Sequence, residues 1–250
     1  MSDSPQYPSL LMIIRHGEKP GNPSNDKHGG PNLSVLGSAR AAALPSLFTP
    51  DPDAKSVKGM AQLACHLKVT AGAQSRFHGT YDSSGHKAGQ SRFPTPDFLF
   101  ATQPGTGPNG SRRPLETITP LAQALQFYKN PKLTINDSFN NDPKNGLPAL
   151  KSEILNNPGT YGGKVVLICW HHGTIPQLTL DFGVPAGQLP WTKWPATIFD
   201  VVFKITWNSS GQASLAYDFQ RLLYHDSKSN YLKLTPSTTK KSKKSKKSST

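Results

Sequence analysis

The sequence predicts an α/β domain: a three-layer sandwich whose sheet is mainly parallel and carries helices on both faces. Three observations lead there. Leu10 to Ile14, Asp97 to Thr102 and Lys164 to Trp170 are short, largely apolar runs, the pattern of strands buried on both sides. Each is followed by a loop and then by a stretch with helical apolar spacing. Near the C-terminus, Ile198 to Trp207 and Ala213 to Phe219 flank Asn208-Ser209-Ser210-Gly211, which reads as a hairpin at a sheet edge.

Composition sets the scale. A chain of 250 residues can bury one sizeable core, while 35% apolar content with 23 Pro and 21 Gly points to long irregular loops around it. The formal charge is +13, falling to +7 once the six lysines of Pro236 to Thr250 are set aside. A basic folded part suits a phosphate ester, a nucleic acid or an acidic membrane surface, and charge alone does not choose. The expected organisation is a domain over 6–235 with a disordered lysine/serine tail over 236–250. That tail reads first as a solvated end, with a nucleic-acid or nuclear-import contact as the minority reading.

Of the two cysteines, Cys169 sits inside an apolar strand, which argues for a buried thiol and a reducing compartment. The N-terminal apolar run is five residues long and lacks a basic flank, too short for a signal peptide or a membrane span. The expectation is a soluble, cytoplasmic protein with no membrane partner.

The first strand ends at Arg15-His16-Gly17, and 17–32 read as loop. Ser34 is placed to N-cap a helix on which Leu36, Ala39, Ala42, Ala43 and Leu47 recur at helical spacing, loosened by Pro45. Residues 50–97 read as a long insert with a short helix over Met60 to Val69. After the second strand, Gly105, Gly107 and Gly110 imitate a dinucleotide-binding turn, but Pro108 interrupts it and the segment reads as a flexible loop. Arg112-Arg113 then opens a helix from about Pro114 to Phe127, with Leu115, Ile118, Leu121, Ala122 and Leu125 on one side and a kink expected at Pro120. Ile175 to Phe182 is the helix expected after the third strand.

Three polar clusters thus follow three strands: Arg15-His16, Arg112-Arg113 and His171-His172. The carboxyl ends of parallel strands gather on one edge of an open sheet, where ligands bind. Two arginines and two histidines at one edge suit phosphoryl transfer. A neutral imidazole nitrogen can attack phosphorus and hold the phosphoryl group, and guanidinium groups can clamp its oxygens. Adjacent histidines seldom face one ion, and no His-Glu-x-x-His or cysteine cluster accompanies them, so neither metal nor cofactor is expected.

The run Leu10 to Pro20 with its Arg15-His16-Gly17 resembles the signature of the histidine phosphatase (phosphoglycerate mutase-like) superfamily. Leu33-Ser34 through Gly37 to Arg40-Ala41, Arg113 through Glu116-Thr117, and the strand ending in His171-His172-Gly173-Thr174 resemble its later motifs, in family order. The resemblance implies a phosphoglycerate mutase-like fold with His16 as the phosphorylated nucleophile. It also implies that Arg15 and Arg113 clamp the phosphate and that His171 completes the pocket. His172 occupies a position where a backbone N–H can face the phosphate, and Glu18 is a candidate for substrate binding and equally a loop carboxylate. A leaving alkoxide needs a proton, best from a carboxylic acid, and Asp137 is the choice in the segment 135–142. Glu18-Lys19-Pro20 departs from the mutase pattern and favours hydrolysis. The implied activity is metal-independent hydrolysis of a small phosphomonoester. The alternatives are a non-catalytic binder of phosphorylated ligands or of protein, and a phosphoglycerate-type mutase.

Overall fold

The computed structural model describes residues 5–20, 30–50, 91–106, 110–223 and 226. Their centre is a six-stranded sheet in the order β3-β2-β4-β1-β5-β6. The strands are β1 (Leu10–Arg15), β2 (Phe98–Ala101), β3 (Ile135–Asn136), β4 (Val165–Trp170), β5 (Val201–Trp207) and β6 (Ala213–Phe219). The first four run parallel, with β4 between β1 and β2. β5 pairs antiparallel with β1 and forms the expected edge hairpin with β6.

Strand alternation divides the apolar side chains between two cores. Leu11 and Ile13 of β1, with Val166, Ile168 and Trp170 of β4, face one side. There they meet Leu147, Leu150 and Ile154 of α4 (Gly146–Leu155), Tyr161 of α5 (Pro158–Tyr161), and Ile175 and Leu178 of α6 (Ile175–Asp181). Met12, Ile14, Leu167 and Cys169 face the other side. Their partners are Leu47 and Phe48 of α2 (Pro45–Phe48) and Ile118, Leu121 and Leu125 of α3 (Arg113–Tyr128). Helices therefore cover both faces, and each strand residue is apolar because both of its directions lead into a core.

The first helix, α1 (Val35–Ala43), is capped as expected: the Ser34 hydroxyl accepts from the Gly37 N–H at 3.0 Å. Its inward face is not the expected one. Gly37, Arg40, Ala41 and the following Leu44 are buried, whereas Val35, Leu36, Ala39 and Ala42 are exposed. Two contacts with the loop after β1 impose this rotation. Gly37 lies so close to the Glu18 backbone that a side chain there would overlap it. Arg40 ends in a buried ion pair with the Glu18 carboxylate.

Other differences have local causes. The stretch expected to be strand from Ile198 begins pairing only at Val201, because the carbonyls of Pro195, Ala196 and Ile198 turn to receive Arg15. Helix α4 went unpredicted although Leu147, Leu150 and Ile154 have helical spacing. The end of the expected insert belongs to the core: Phe93 is buried against Phe48, and its N–H reaches the Leu47 carbonyl at 2.9 Å. The expected helix over Met60 to Val69, Cys65 and the tail 236–250 lie outside the described residues. Among the described residues no helix is long and apolar enough to cross a membrane.

Candidate active site

β1 and β4 run parallel and in register, Arg15 opposite Trp170, so their chains leave the sheet side by side. The N–H of His16 still bonds the Trp170 carbonyl at 3.2 Å. This places the His16 ring beside those of His171 and His172, with centroids 5.4 and 5.8 Å away. Both histidines of the pair therefore neighbour His16.

The His16 ring is buried, and its Nδ1 lies 2.7 Å from the carbonyl oxygen of Gly17. A carbonyl only accepts, so Nδ1 carries the proton and Nε2 keeps its lone pair. Burial, then the charges of Arg15, His171 and Arg113, hold this imidazole well below the usual histidine range. It is neutral at neutral pH. Burial and Arg113 bring His171 to about 4. Burial, with Arg15 and Lys19 the largest charges, brings His172 to about 3.

Arg15 divides its work. Nη1 donates to the carbonyls of Pro195, Ala196 and Ile198 at 3.1, 2.8 and 2.8 Å, and the guanidinium lies 3.6 Å over the Phe199 ring. Nε and Nη2 are buried with no partner. Arg113 opens α3, an end where the helix dipole opposes a cation. Its Nη1 donates to the Gly30 carbonyl at 2.7 Å, while Nε is buried and unpaired. Arg112, its neighbour, is exposed.

Seven buried side-chain nitrogen and oxygen atoms lack a hydrogen-bond partner among the described residues. They belong to Arg15, Thr102, Ser111, Arg113, Trp170 and His172, all at or just beyond the carboxyl ends of β1, β2 and β4. Each such group costs about 1–3 kcal/mol when left unpaired, so gathering them at one edge is not a packing accident. Oxygen atoms of an anion would satisfy the guanidinium nitrogens among them.

The loop bearing His16 is fastened from two sides. The Gly17 N–H donates to Thr117 Oγ1 at 2.8 Å, and that hydroxyl donates to the Arg113 carbonyl at 2.7 Å. Glu18 is bound through Oε1 to Arg40 Nη2 at 2.5 Å, and Arg40 Nη2 also meets Asp226 Oδ1 at 2.6 Å.

Glu18 takes another place than the expected one: its carboxylate is committed to Arg40, because the residue after Gly17 turns toward α1. Asp137 follows β3, the edge strand. No hydrogen bond or ion pair joins it to Arg15, His16, Arg113 or His171 among the described residues. One residue went unnoticed: Lys19 is buried and close enough for its charge to act on His172, with Arg113 and Arg15 acting on it in turn. A lysine two places beyond a buried glycine was the signal. Among the described residues, no group of three or more His, Cys, Asp and Glu stands close enough to hold a metal ion.

No family model and no curated protein matches the chain. Among solved structures it is similar to the protein histidine phosphatase SixA complexed with tungstate, at 12% identity over 84% of this chain and 97% of that one, with a TM-score of 0.41. It is also similar to phosphoglycerate mutase from Bacillus anthracis, at 12% identity over 86% and 93%, with a TM-score of 0.43. A mycobacterial glucosyl-3-phosphoglycerate phosphatase stands at 12%, 84%, 97% and 0.40 in the same terms. At such identities and scores these likenesses carry no activity to this chain. The chemistry rests on the site's own groups.

Proposed function

We propose that the chain is a phosphatase of the histidine phosphatase type, hydrolysing a phosphomonoester through a phosphohistidine on His16 without a metal. The observation that carries this reading is the His16 ring, buried, neutral and tied through Nδ1 so that Nε2 is the free nucleophile. Around it stand the cations that the reaction needs. The free nitrogens of Arg15 and Arg113 suit the equatorial oxygens of a phosphoryl group, where charge must be stabilised in the transition state. The rings of His171 and His172 stand beside that of His16.

Nε2 attacks phosphorus in line with the ester oxygen, and water then hydrolyses the phosphohistidine. Unpaired donors that are buried suit a small phosphate ester; a nucleic acid needs an exposed basic stripe instead.

The test is turnover of p-nitrophenyl phosphate by the full chain in the presence of chelator, with the phosphorylated residue located by mass spectrometry under alkaline denaturation. Chelator-insensitive turnover with phosphate on His16 is expected. A folded protein that hydrolyses nothing and carries no phosphate on His16 overturns the reading.

A further inference from the structure

We infer that Thr117 is a positioning residue for His16: its hydroxyl holds the Gly17 peptide in place, and through that peptide the tautomer of the nucleophile. The inference rests on the phosphohistidine reading of the same site. Thr117 acts through Gly17, not on the phosphate.

Thr117 is buried on α3, one helical turn after Arg113. Its hydroxyl donates to the Arg113 carbonyl at 2.7 Å, which uses its only proton and fixes the rotamer. A lone pair then accepts the Gly17 N–H, 2.8 Å away and a hundred residues distant in the chain. Cys169, two residues before His171, is a further neighbour: burial pushes its thiol up, and hydrogen bonding with Thr117 counters that rise. One oxygen thus touches the three chain segments that carry His16, Arg113 and His171. A valine of the same shape would make none of these hydrogen bonds.

Gly17 is the link because its two backbone groups are divided. Its N–H goes to Thr117, and its carbonyl oxygen lies 2.7 Å from His16 Nδ1. The first bond stops the peptide from turning, so the second keeps its direction. Without the hydroxyl a buried N–H loses its acceptor, and a residue without a Cβ has the freedom to turn toward another. The carbonyl then leaves Nδ1, and the neutral ring is free to carry its proton on Nε2, the nitrogen that must attack. The helix end that supplies the hydroxyl is itself held in place. The Arg112 N–H donates to the Pro31 carbonyl at 2.8 Å, and Glu116 Oε2 accepts the Leu33 N–H at 2.8 Å.

The experiment compares Thr117→Val, Thr117→Ala and Thr117→Ser with the parent on the full chain. It reads kcat and KM for p-nitrophenyl phosphate, the imidazole nitrogen resonances of His16 in isotope-labelled protein, and the urea midpoint. Ile118→Val, also buried on α3, is the control for lost packing alone. Removing the hydroxyl is expected to lower kcat about 100-fold, the effect of a misplacement of about 1 Å, with KM nearly unchanged. The His16 resonances should lose their Nδ1–H pattern in both hydroxyl-free variants, and Thr117→Ser should restore pattern and rate. An unchanged His16 pattern in either hydroxyl-free variant that folds overturns the inference, whatever the rate. So does an equal fall of kcat in Ile118→Val. A parent protein that turns over nothing and carries no phosphate on His16 overturns the phosphohistidine reading instead, and the nitrogen resonances still decide the role of Thr117.

Discussion

His16 Nδ1 lies 2.7 Å from the carbonyl oxygen of Gly17, the very next residue, so the tautomer of the ring is set by the chain that carries it. A glycine suits that place, since a side chain would press on Gly37 and Leu33. The consequence is an Nε2 lone pair whose presence needs no partner residue to set the tautomer. Replacing His16 with asparagine or alanine is expected to lower kcat by about 10⁴-fold or more. Circular dichroism should remain that of the parent, and the phosphoenzyme band should vanish.

Arg15 and Arg113 are expected to separate in their effects. Removing a transition-state donor costs about 2.7–4 kcal/mol, or 10²–10³-fold in kcat. Both alanine variants should show this loss. Arg15→Ala also leaves three carbonyls without their donor and uncovers Phe199, so its urea midpoint should fall. Arg113→Ala removes a cation from a cationic cluster at a helix N-terminus and should keep or raise the midpoint. Equal destabilisation of the two variants would contradict this division.

The buried trio Glu18, Arg40 and Asp226 joins the His16 loop to the chain just beyond β6. Breaking one member of a buried pair typically costs about 3–5 kcal/mol because the other charge is stranded. Arg40→Met should show a loss of that order in urea unfolding. A chain ending after Gln220 should be less stable than one ending after Asp226. If Glu18→Gln raises KM without touching stability, Glu18 would be a substrate ligand after all.

The histidines give the unliganded protein an acid-side weakness. His16, His171 and His172 have folded values below that of an unfolded histidine, about 6.5. Between about 4 and 6.5 the unfolded chain binds more protons, so stability rises with pH through that window and is lost as pH falls through it. Melting temperatures across the window should show this slope, and His171→Asn should reduce it. Inorganic phosphate brings negative charge to the same groups and favours their protonated forms, so it should flatten the slope and raise the melting temperature.

Five of the six strands were legible from the chain alone; the two-residue β3 was not. Apolar runs ending in Arg15-His16 and His171-His172 announced parallel strands, and a parallel sheet sends such ends to one edge whatever the loops do. The same local logic capped α1 at Ser34 and opened α3 near Arg113. The inner face of α1 was not legible. Local spacing favoured Leu36 and Ala39, but the partner of Arg40 lies twenty-two residues earlier at Glu18, and a long-range ion pair leaves no periodic trace.

By itself, then, the sequence determined which residue types reach one sheet edge: two arginines and the histidines, carried there by strand direction. Only the tertiary structure decided which of their neighbours share the site. Packing of α1 and the segment after β6 on the His16 loop committed Glu18 to Arg40, and burial brought Lys19 close to His172. Side-chain direction in a loop is set by what packs against it, and those partners are distant in the chain.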